Sequence, residues 1–266
     1  MDHLQLIKML EINPHIITSI NHPTDEMKLI AVRKNGLLLE YIENPTREMK
    51  ELAFENNVRA IKFIDNPTEA MMLRAIEGGW TNLEYMKNPT DTVIRMAVSQ
   101  AGWAIKYVPN PSEELQLLAV HKHYDSIRFI KAPFESVQLE AVKANYEALR
   151  FISSPAHSTQ VAAVKSNEEA IKYINDLDKD KILEFLKINF LVIKYVMKAI
   201  SKEELEEVLQ EVLSQEAVDE NFVRSFLNYT TLDHSDIRQM DKLRFIHRYG
   251  SKKAKKIAVD EKLKII

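Results

Sequence analysis

Residues 45–66 read PTREMKELAFENNVRAIKFIDN, and this stretch recurs with changes along most of the chain. Prolines stand at 23, 45, 67, 89, 111, 133 and 155, a constant spacing of 22 residues. Eight positions after each proline comes alanine: Ala31, Ala53, Ala75, Ala97, Ala119, Ala141 and Ala163. Twelve positions on, Asn or Gly predominates: Asn35, Asn57, Gly79, Asn145 and Asn167, with Ala101 and His123 the exceptions. An aliphatic residue follows at plus sixteen and again, with Met86 once, at plus nineteen. Between them an aromatic ring stands at plus eighteen: Tyr41, Phe63, Tyr85, Tyr107, Phe129, Phe151 and Tyr173.

Each feature has a physical reading. Asn44-Pro45-Thr46 is a helix start, because proline is favoured in a first turn where its missing N–H has no intrahelical partner. Either the Asn before it or the Thr after it can cap the orphan amides. Acidic residues such as Glu48 follow, suiting the positive end of the helix dipole. Asn or Gly at plus twelve fits a left-handed residue closing a first helix of about ten residues. The second half, NVRAIKFI here, fits one face of a short helix. A strand is the rival, because Ile61-Lys62-Phe63 also alternates.

Two helices this small cannot bury their apolar faces alone, but stacked copies can, and a fixed period in this range marks a solenoid. The expected fold is therefore all-α: an α-solenoid of about eight two-helix repeats over residues 1–198. Its repeats begin at 1, 23, 45, 67, 89, 111, 133, 155 and 177. Residues 1–22 form an incomplete first repeat, with Pro14 intruding and Met9 in place of the alanine. Residues 177–198 form one whose alanine has become Phe185. Residues 199–266 break the period and read as a helical C-terminal cap or small helical domain. Helices are expected from Ser201, over Asp219–Asn228, over Ser235–Tyr249, and from Lys252 onward. Leu243-Arg244-Phe245-Ile246 echoes Leu149-Arg150-Phe151-Ile152, as a degenerate repeat would.

AVRKNGLLLEYIENPT (Ala31–Thr46) and NPSEELQLLAV (Asn110–Val120) resemble a short helical repeat of about this period. That repeat is classed as a domain of unknown function in bacterial and phage proteins. The resemblance covers roughly residues 23–176 and carries no catalytic residues to transfer. A more distant similarity is to leucine-rich repeat variants, whose iron–sulfur module needs cysteines that this chain lacks. The resemblance implies a bacterial or phage source, and a phage-encoded factor acting on a host or defence protein is one expectation.

Composition narrows the chemistry. Net charge is −3, so no global field drives the chain toward nucleic acid or an anionic membrane. The absence of cysteine removes disulfides, zinc–thiolate sites and cysteine nucleophiles. Met1-Asp2-His3-Leu4 has neither the basic start nor the apolar run of a signal peptide, and no segment approaches the length of a membrane span. A cytoplasmic setting is expected, in a bacterium or in the host of a phage. His121 and His123 form an H-x-H pair without a third ligand at metal spacing. His234 and His247 are isolated. No phosphate-binding glycine loop or nucleophile motif is present. No catalytic, cofactor-binding or metal residue is assigned.

Two surface patterns remain. Trp80, Trp103, Tyr124 and Tyr146 fall at plus thirteen or fourteen, where the repeat core does not require them. Stacked repeats would bring that edge into one strip, and such rings are common interface anchors. The plus-eighteen rings stand beside core aliphatic residues and read as core, with a base-stacking platform as the alternative. At plus seventeen, pointing outward, Lys106, Arg128, Arg150, Lys172 and Lys194 form a basic ladder. It would suit a phosphate backbone or an acidic protein surface, or stand as a solvated face. The expected function is a non-catalytic scaffold binding a protein partner, with nucleic-acid binding along the ladder as the alternative.

Overall fold

The computed structural model describes residues 2–234 and 239–263. The chain is all-helical, with 74% of it in helix and no strand among the described residues. It divides into two compact halves, Met1–Lys131 and Ala132–Ile266. The sequence-based boundary at 198/199 falls inside the second half.

In the N-terminal half, ten-residue α-helices such as Asp25–Lys34, Arg47–Asn56, Asp91–Gln100 and Glu113–Lys122 begin two residues after each proline. Proline therefore lies just before the N-cap, not in the first turn. The residue after it is the cap: Thr24, Thr46, Thr68, Thr90 and Ser112 each accept a hydrogen bond from the backbone N–H three residues on, at 3.3–3.4 Å. The Asn before proline does something else. His22, Asn44 and Asn66 have φ of 57°, 50° and 56°, the left-handed region that Asn and His tolerate better than most residues.

Asn35 and Asn57, expected to be left-handed, are extended, with φ near −146° and −149°. Each donates its N–H back to the first helix, to the Ala31 or Ala53 carbonyl at 2.9 Å, and starts the next element. Asn35 Oδ1 accepts from Leu37 N–H at 3.1 Å, and Asn57 Oδ1 accepts from Arg59 N–H at 3.0 Å. This local side-chain bond competes with continuation of the α-helix and re-nucleates the chain as a new turn. Only Gly79 among the plus-twelve residues has positive φ, at 148°.

The second element is helical throughout, but as six-residue 3-10 helix: Gly36–Tyr41, Val58–Phe63, Trp80–Tyr85, Gly102–Tyr107 and Tyr124–Phe129. Pro14 does not intrude. It is the first residue of the 3-10 helix Pro14–Ser19, where its missing N–H is harmless. Within this half each 3-10 helix packs on the next. The core is built from Ala31, Ala53, Ala75, Ala97 and Ala119, all fully buried, with Leu39, Ile61, Leu83, Ile105 and Ile127.

Where plus thirteen is glycine, the next helix comes very close. A Cβ on Gly36 would stand 2.1 Å from the Ala53 carbonyl oxygen, and one on Gly102 would stand 2.2 Å from that of Ala119. Polar side chains of the next repeat take the glycine amides: Gly36 N–H donates to Asn56 Oδ1 at 2.8 Å, and Gly102 N–H to His123 Nδ1 at 3.1 Å.

The C-terminal half repeats this pattern in Glu135–Ala144, Tyr146–Phe151, His157–Ser166 and Glu168–Tyr173. Phe134 and Ala156 occupy N-cap positions without a capping side chain. Gln138, buried on the preceding helix, accepts from the N–H of Ala156 itself at 2.9 Å, while the Thr159 N–H is taken by the Ala156 carbonyl at 3.0 Å. Helix Lys179–Ile188 follows, carrying the fully buried Phe185 at the alanine position. Ser201 and Glu204 form a reciprocal capping box for Lys202–Leu213, and Asp219 caps Glu220–Asn228. Of the expected helix over Ser235–Tyr249, residues 235–238 lie outside the described residues. The described part is Lys242–Tyr249, with a separate short helix Thr231–His234 before it. Lys242–Tyr249 is α-helical and so differs from the 3-10 element that Leu149-Arg150-Phe151-Ile152 belongs to. Helix Lys252–Leu263 closes the described chain.

Gly36→Ala forces the Ala53 backbone away and should destabilise the protein by about 1–3 kcal/mol, the usual cost of overpacking. Urea unfolding of the variant measures it; an unchanged midpoint would mean that the close approach is not structurally required.

Candidate interaction surface

A 3-10 helix has three residues per turn, so residues three apart eclipse one another. In each second element, plus sixteen and plus nineteen form one row, plus fifteen and plus eighteen another, and plus fourteen and plus seventeen a third. The first row is the buried one, as in Leu39 and Ile42 or Ile61 and Ile64. Plus fifteen is also buried, mostly by small residues such as Ala60, Ala104 and Ala148. Plus eighteen, the last residue of each 3-10 helix, emerges at the rim.

The plus-eighteen rings are therefore not core. Tyr41, Tyr85 and Phe129 are 58%, 44% and 40% exposed, and Phe63 and Tyr107 are half-buried. They share a row with the buried plus-fifteen residues and reach water because each is the last residue of its 3-10 helix.

The basic ladder meets these rings. Lys106 Nζ lies 4.5 Å from the Tyr107 ring centre, and the Arg128 guanidinium 5.6 Å from that of Phe129. Lys62 lies 4.4 Å from Phe63 and Arg150 4.6 Å from Phe151 in the same manner. Lys172 stands over Tyr195, one repeat on, at 4.8 Å. Contacts of this kind are worth roughly 0.5–1 kcal/mol at exposed sites. Beside Tyr41 and Tyr85 the plus-seventeen residue is Glu40 or Glu84, which offers no cation to cover the ring.

The other rings act between repeats. Trp80 lies 6.3 Å from Tyr107 and under Lys106 at 5.4 Å, while Tyr107 Oη donates to Glu84 at 3.1 Å. Trp103 stacks on His123 at 4.1 Å and donates through Nε1 to Asp125 at 2.8 Å. Tyr146 lies 6.5 Å from Tyr173 and donates to Glu169 at 3.3 Å. Tyr124 is half-buried. Trp80, Trp103 and Tyr146 each bridge to the following repeat, and among the described residues no ring contact joins one of the four to another.

In the C-terminal half the ladder is neutralised by carboxylates. Arg150 faces Glu147 at 3.9 Å, Lys172 faces Glu169 at 3.3 Å, and Lys194 faces Glu168 at 2.8 Å. Lys172, then the hydroxyls of Tyr146 and Tyr195, hold the Glu169 carboxyl below its ordinary range. Burial, then Glu169, pushes the Tyr146 hydroxyl up.

A pocket of about 630 Å³ opens in the C-terminal region between Leu227, Asn228, Met240, Lys242 and Glu261. Its polar walls are already engaged. The buried Lys242 Nζ donates to the Leu227 and Tyr229 carbonyls at 2.7 and 2.8 Å, and Glu261 binds Arg224 and Asn228. Among the described residues no group of His, Asp and Glu could hold a metal ion, and no helix is long and apolar enough to cross a membrane.

Comparison with known families, with curated proteins and with solved structures returns no match for this chain.

Because its carboxyl is held low in the folded state, Glu169 adds stability above its ordinary value of 4.5 and loses that contribution as pH falls through the depressed one. Glu169→Gln should therefore melt lower than the parent chain at neutral pH, with the gap closing as pH falls through the depressed value. A gap independent of pH would show that the carboxylate charge is not what matters.

Proposed function

We propose that the chain is an α-solenoid of about eight 22-residue helix pairs with a helical C-terminal cap, and that it binds a protein partner without catalysing a reaction. The period supports the solenoid reading, as does the packing of each 3-10 helix on the next within each half. One observation carries the binding reading. Tyr41, Tyr85 and Phe129 present exposed rings at the same position of the repeat, on short helices anchored by the buried plus-sixteen and plus-nineteen row. Rigid aromatic residues with few rotamers suit an interface, since little freedom is lost on binding.

Charge favours protein over nucleic acid. The outward residues beside these rings in the N-terminal half are Glu40, Lys62, Glu84, Lys106 and Arg128, of mixed sign. A phosphate backbone would be repelled by two of them. In the C-terminal half Arg150, Lys172 and Lys194 already face carboxylates. Binding that tracks phosphates needs uncompensated cations and falls steeply with salt.

A benzoylphenylalanine at position 85 should crosslink a discrete protein in the native host, and one at the exposed Glu55 should not. The combined Tyr41→Ser, Tyr85→Ser and Phe129→Ser variant should lose that partner by on the order of tenfold or more. Equal crosslinking at both positions, or capture unchanged by the triple substitution in a folded chain, overturns the reading. Salt-sensitive binding of single-stranded nucleic acid that survives the triple substitution would favour the ladder instead.

A further inference from the structure

The C-terminal half carries a second surface that the aromatic face does not explain. Helices Lys242–Tyr249 and Lys252–Leu263, joined through Gly250 and Ser251, flank a groove of about 460 Å³. Its floor is Leu243, Ile246, Ala258, Val259 and Leu263. Three of these are large apolar side chains left in water: Leu243 is 38% exposed, Val259 58% and Leu263 64%.

The rim is cationic. Arg244 and His247 stand on one wall and Lys255 and Lys262 on the other, all exposed. Residues 241–263 hold eight Lys or Arg against three Asp or Glu, in a chain whose net charge is −3. The three acids do not offset the rim. Asp241 caps Arg244 N–H at 2.9 Å, Glu261 is held by Arg224 and Asn228, and Asp260 is not among the residues lining the groove. No carboxylate pairs with Arg244, Lys252, Lys253, Lys255, Lys256 or Lys262 among the described residues, whereas Lys172, Lys187 and Lys194 earlier in this half all have one.

We propose that this groove receives an acidic amphipathic helix from a protein partner. Its walls are two helices in sequence, so a third helix laid along them completes a packing that the pair leaves unfinished. The lining residues of the second wall, Lys255, Ala258, Val259, Lys262 and Leu263, recur at helical spacing. They run about 12 Å along the axis, enough for two to three turns of a guest. A guest with an apolar stripe flanked by Glu or Asp would cover the exposed leucines and valine and pair with cations on both walls. The recess favours a helix over a bilayer, which takes up a protruding apolar face. The apolar floor without a stacking ring disfavours nucleic acid. The groove lies outside the 22-residue repeats, and its occupancy does not depend on the partner of the aromatic face.

The test uses the full chain and a fluorescein-labelled amphipathic peptide of roughly 18 residues, with a Leu stripe and Glu flanks. Controls are the same peptide with Lys in place of Glu, a scrambled acidic peptide, phosphatidylserine-containing vesicles and oligo-dT. Anisotropy should show binding of the acidic helix alone, weakening as salt is raised. Val259→Asp and the Lys255→Glu, Lys262→Glu pair should each reduce affinity by on the order of tenfold. These side chains are exposed, and circular dichroism verifies that each variant is folded. Equal binding of the Lys or scrambled peptide overturns the proposal, as does affinity unchanged in Val259→Asp. So does binding of vesicles or oligo-dT where the acidic peptide fails to bind. A dimer in sedimentation that Val259→Asp dissolves would make a second copy the occupant, and the proposal would fall.

Discussion

Seven alanines, each eight residues past a repeat proline, are buried to zero exposure, and the spacing between neighbouring helices depends on them. A helix of ten residues is too short to be stable alone in water, so each repeat exists by virtue of what packs on it. A small side chain at the point of contact lets the following backbone approach until carbonyl oxygens meet the next element. At Gly36 and Gly102 that approach leaves no room for a Cβ at all. The amide N–H groups brought into this tight seam are not left unsatisfied: Asn56 and His123 reach across to accept from them. A buried unpaired amide would cost as much as the packing contributes, so apolar and polar contacts across the seam have to be matched.

The period, the ten-residue first helices and the helical C-terminal region are legible in the sequence, whereas the choice of Thr or Ser over Asn as the cap is not. Fixed spacing and side-chain chemistry are enough to imply them. What is not legible comes from one choice of backbone geometry. Hydrophobic periodicity in a segment as short as VRAIKF cannot separate three residues per turn from 3.6. Nor does it show that Phe63 and its equivalents, as the last residues of these helices, stand at the rim. Asn57 misleads for a related reason. Asn tolerates the left-handed region, but it also bonds its own backbone two residues on, and the sequence alone does not rank the two uses. Asn44, next to Pro45, takes the left-handed conformation instead. A signal for the rim position of the rings was present in the alternation of Glu40, Lys62, Glu84 and Lys106 at plus seventeen. A charge of either sign beside the ring in every repeat fits a partly wet ring better than one wholly inside the core.

The basic ladder illustrates how charge read along a sequence differs from charge on a surface. Lys106, Arg128, Arg150, Lys172 and Lys194 are alike in spacing, yet their settings diverge. Lys106 sits against Trp80 and Tyr107, where ring faces compensate part of its lost hydration. Lys172 and Lys194 sit against Glu169 and Glu168. Those carboxylates are themselves products of the repeat, arriving at plus thirteen and fourteen of the second element, one turn from the ladder. Pairs this exposed contribute little stability each. Their consequence is for recognition: they lower the net field that the ladder could offer a polyanion.

The plus-thirteen position shows how one site in a fixed framework can take on different tasks. It is Gly36 or Gly102 where the next helix must come close, Trp80 or Tyr146 where a ring bridges to the following repeat, and Phe190 where the period ends. Phe190 is fully buried and meets Phe222, Phe226 and Tyr229 edge-on at 5.4–5.8 Å. Here three rings from later in the chain, instead of a following 22-residue repeat, close over it. Edge-to-face packing of this kind adds roughly 0.5–1.5 kcal/mol per pair beyond burial. The change from repeat to C-terminal helices thus needs no new kind of interface. It uses a ring at a position where the repeat already varies, here fully buried, with the surrounding core of Val192, Ile193 and Leu186 kept apolar.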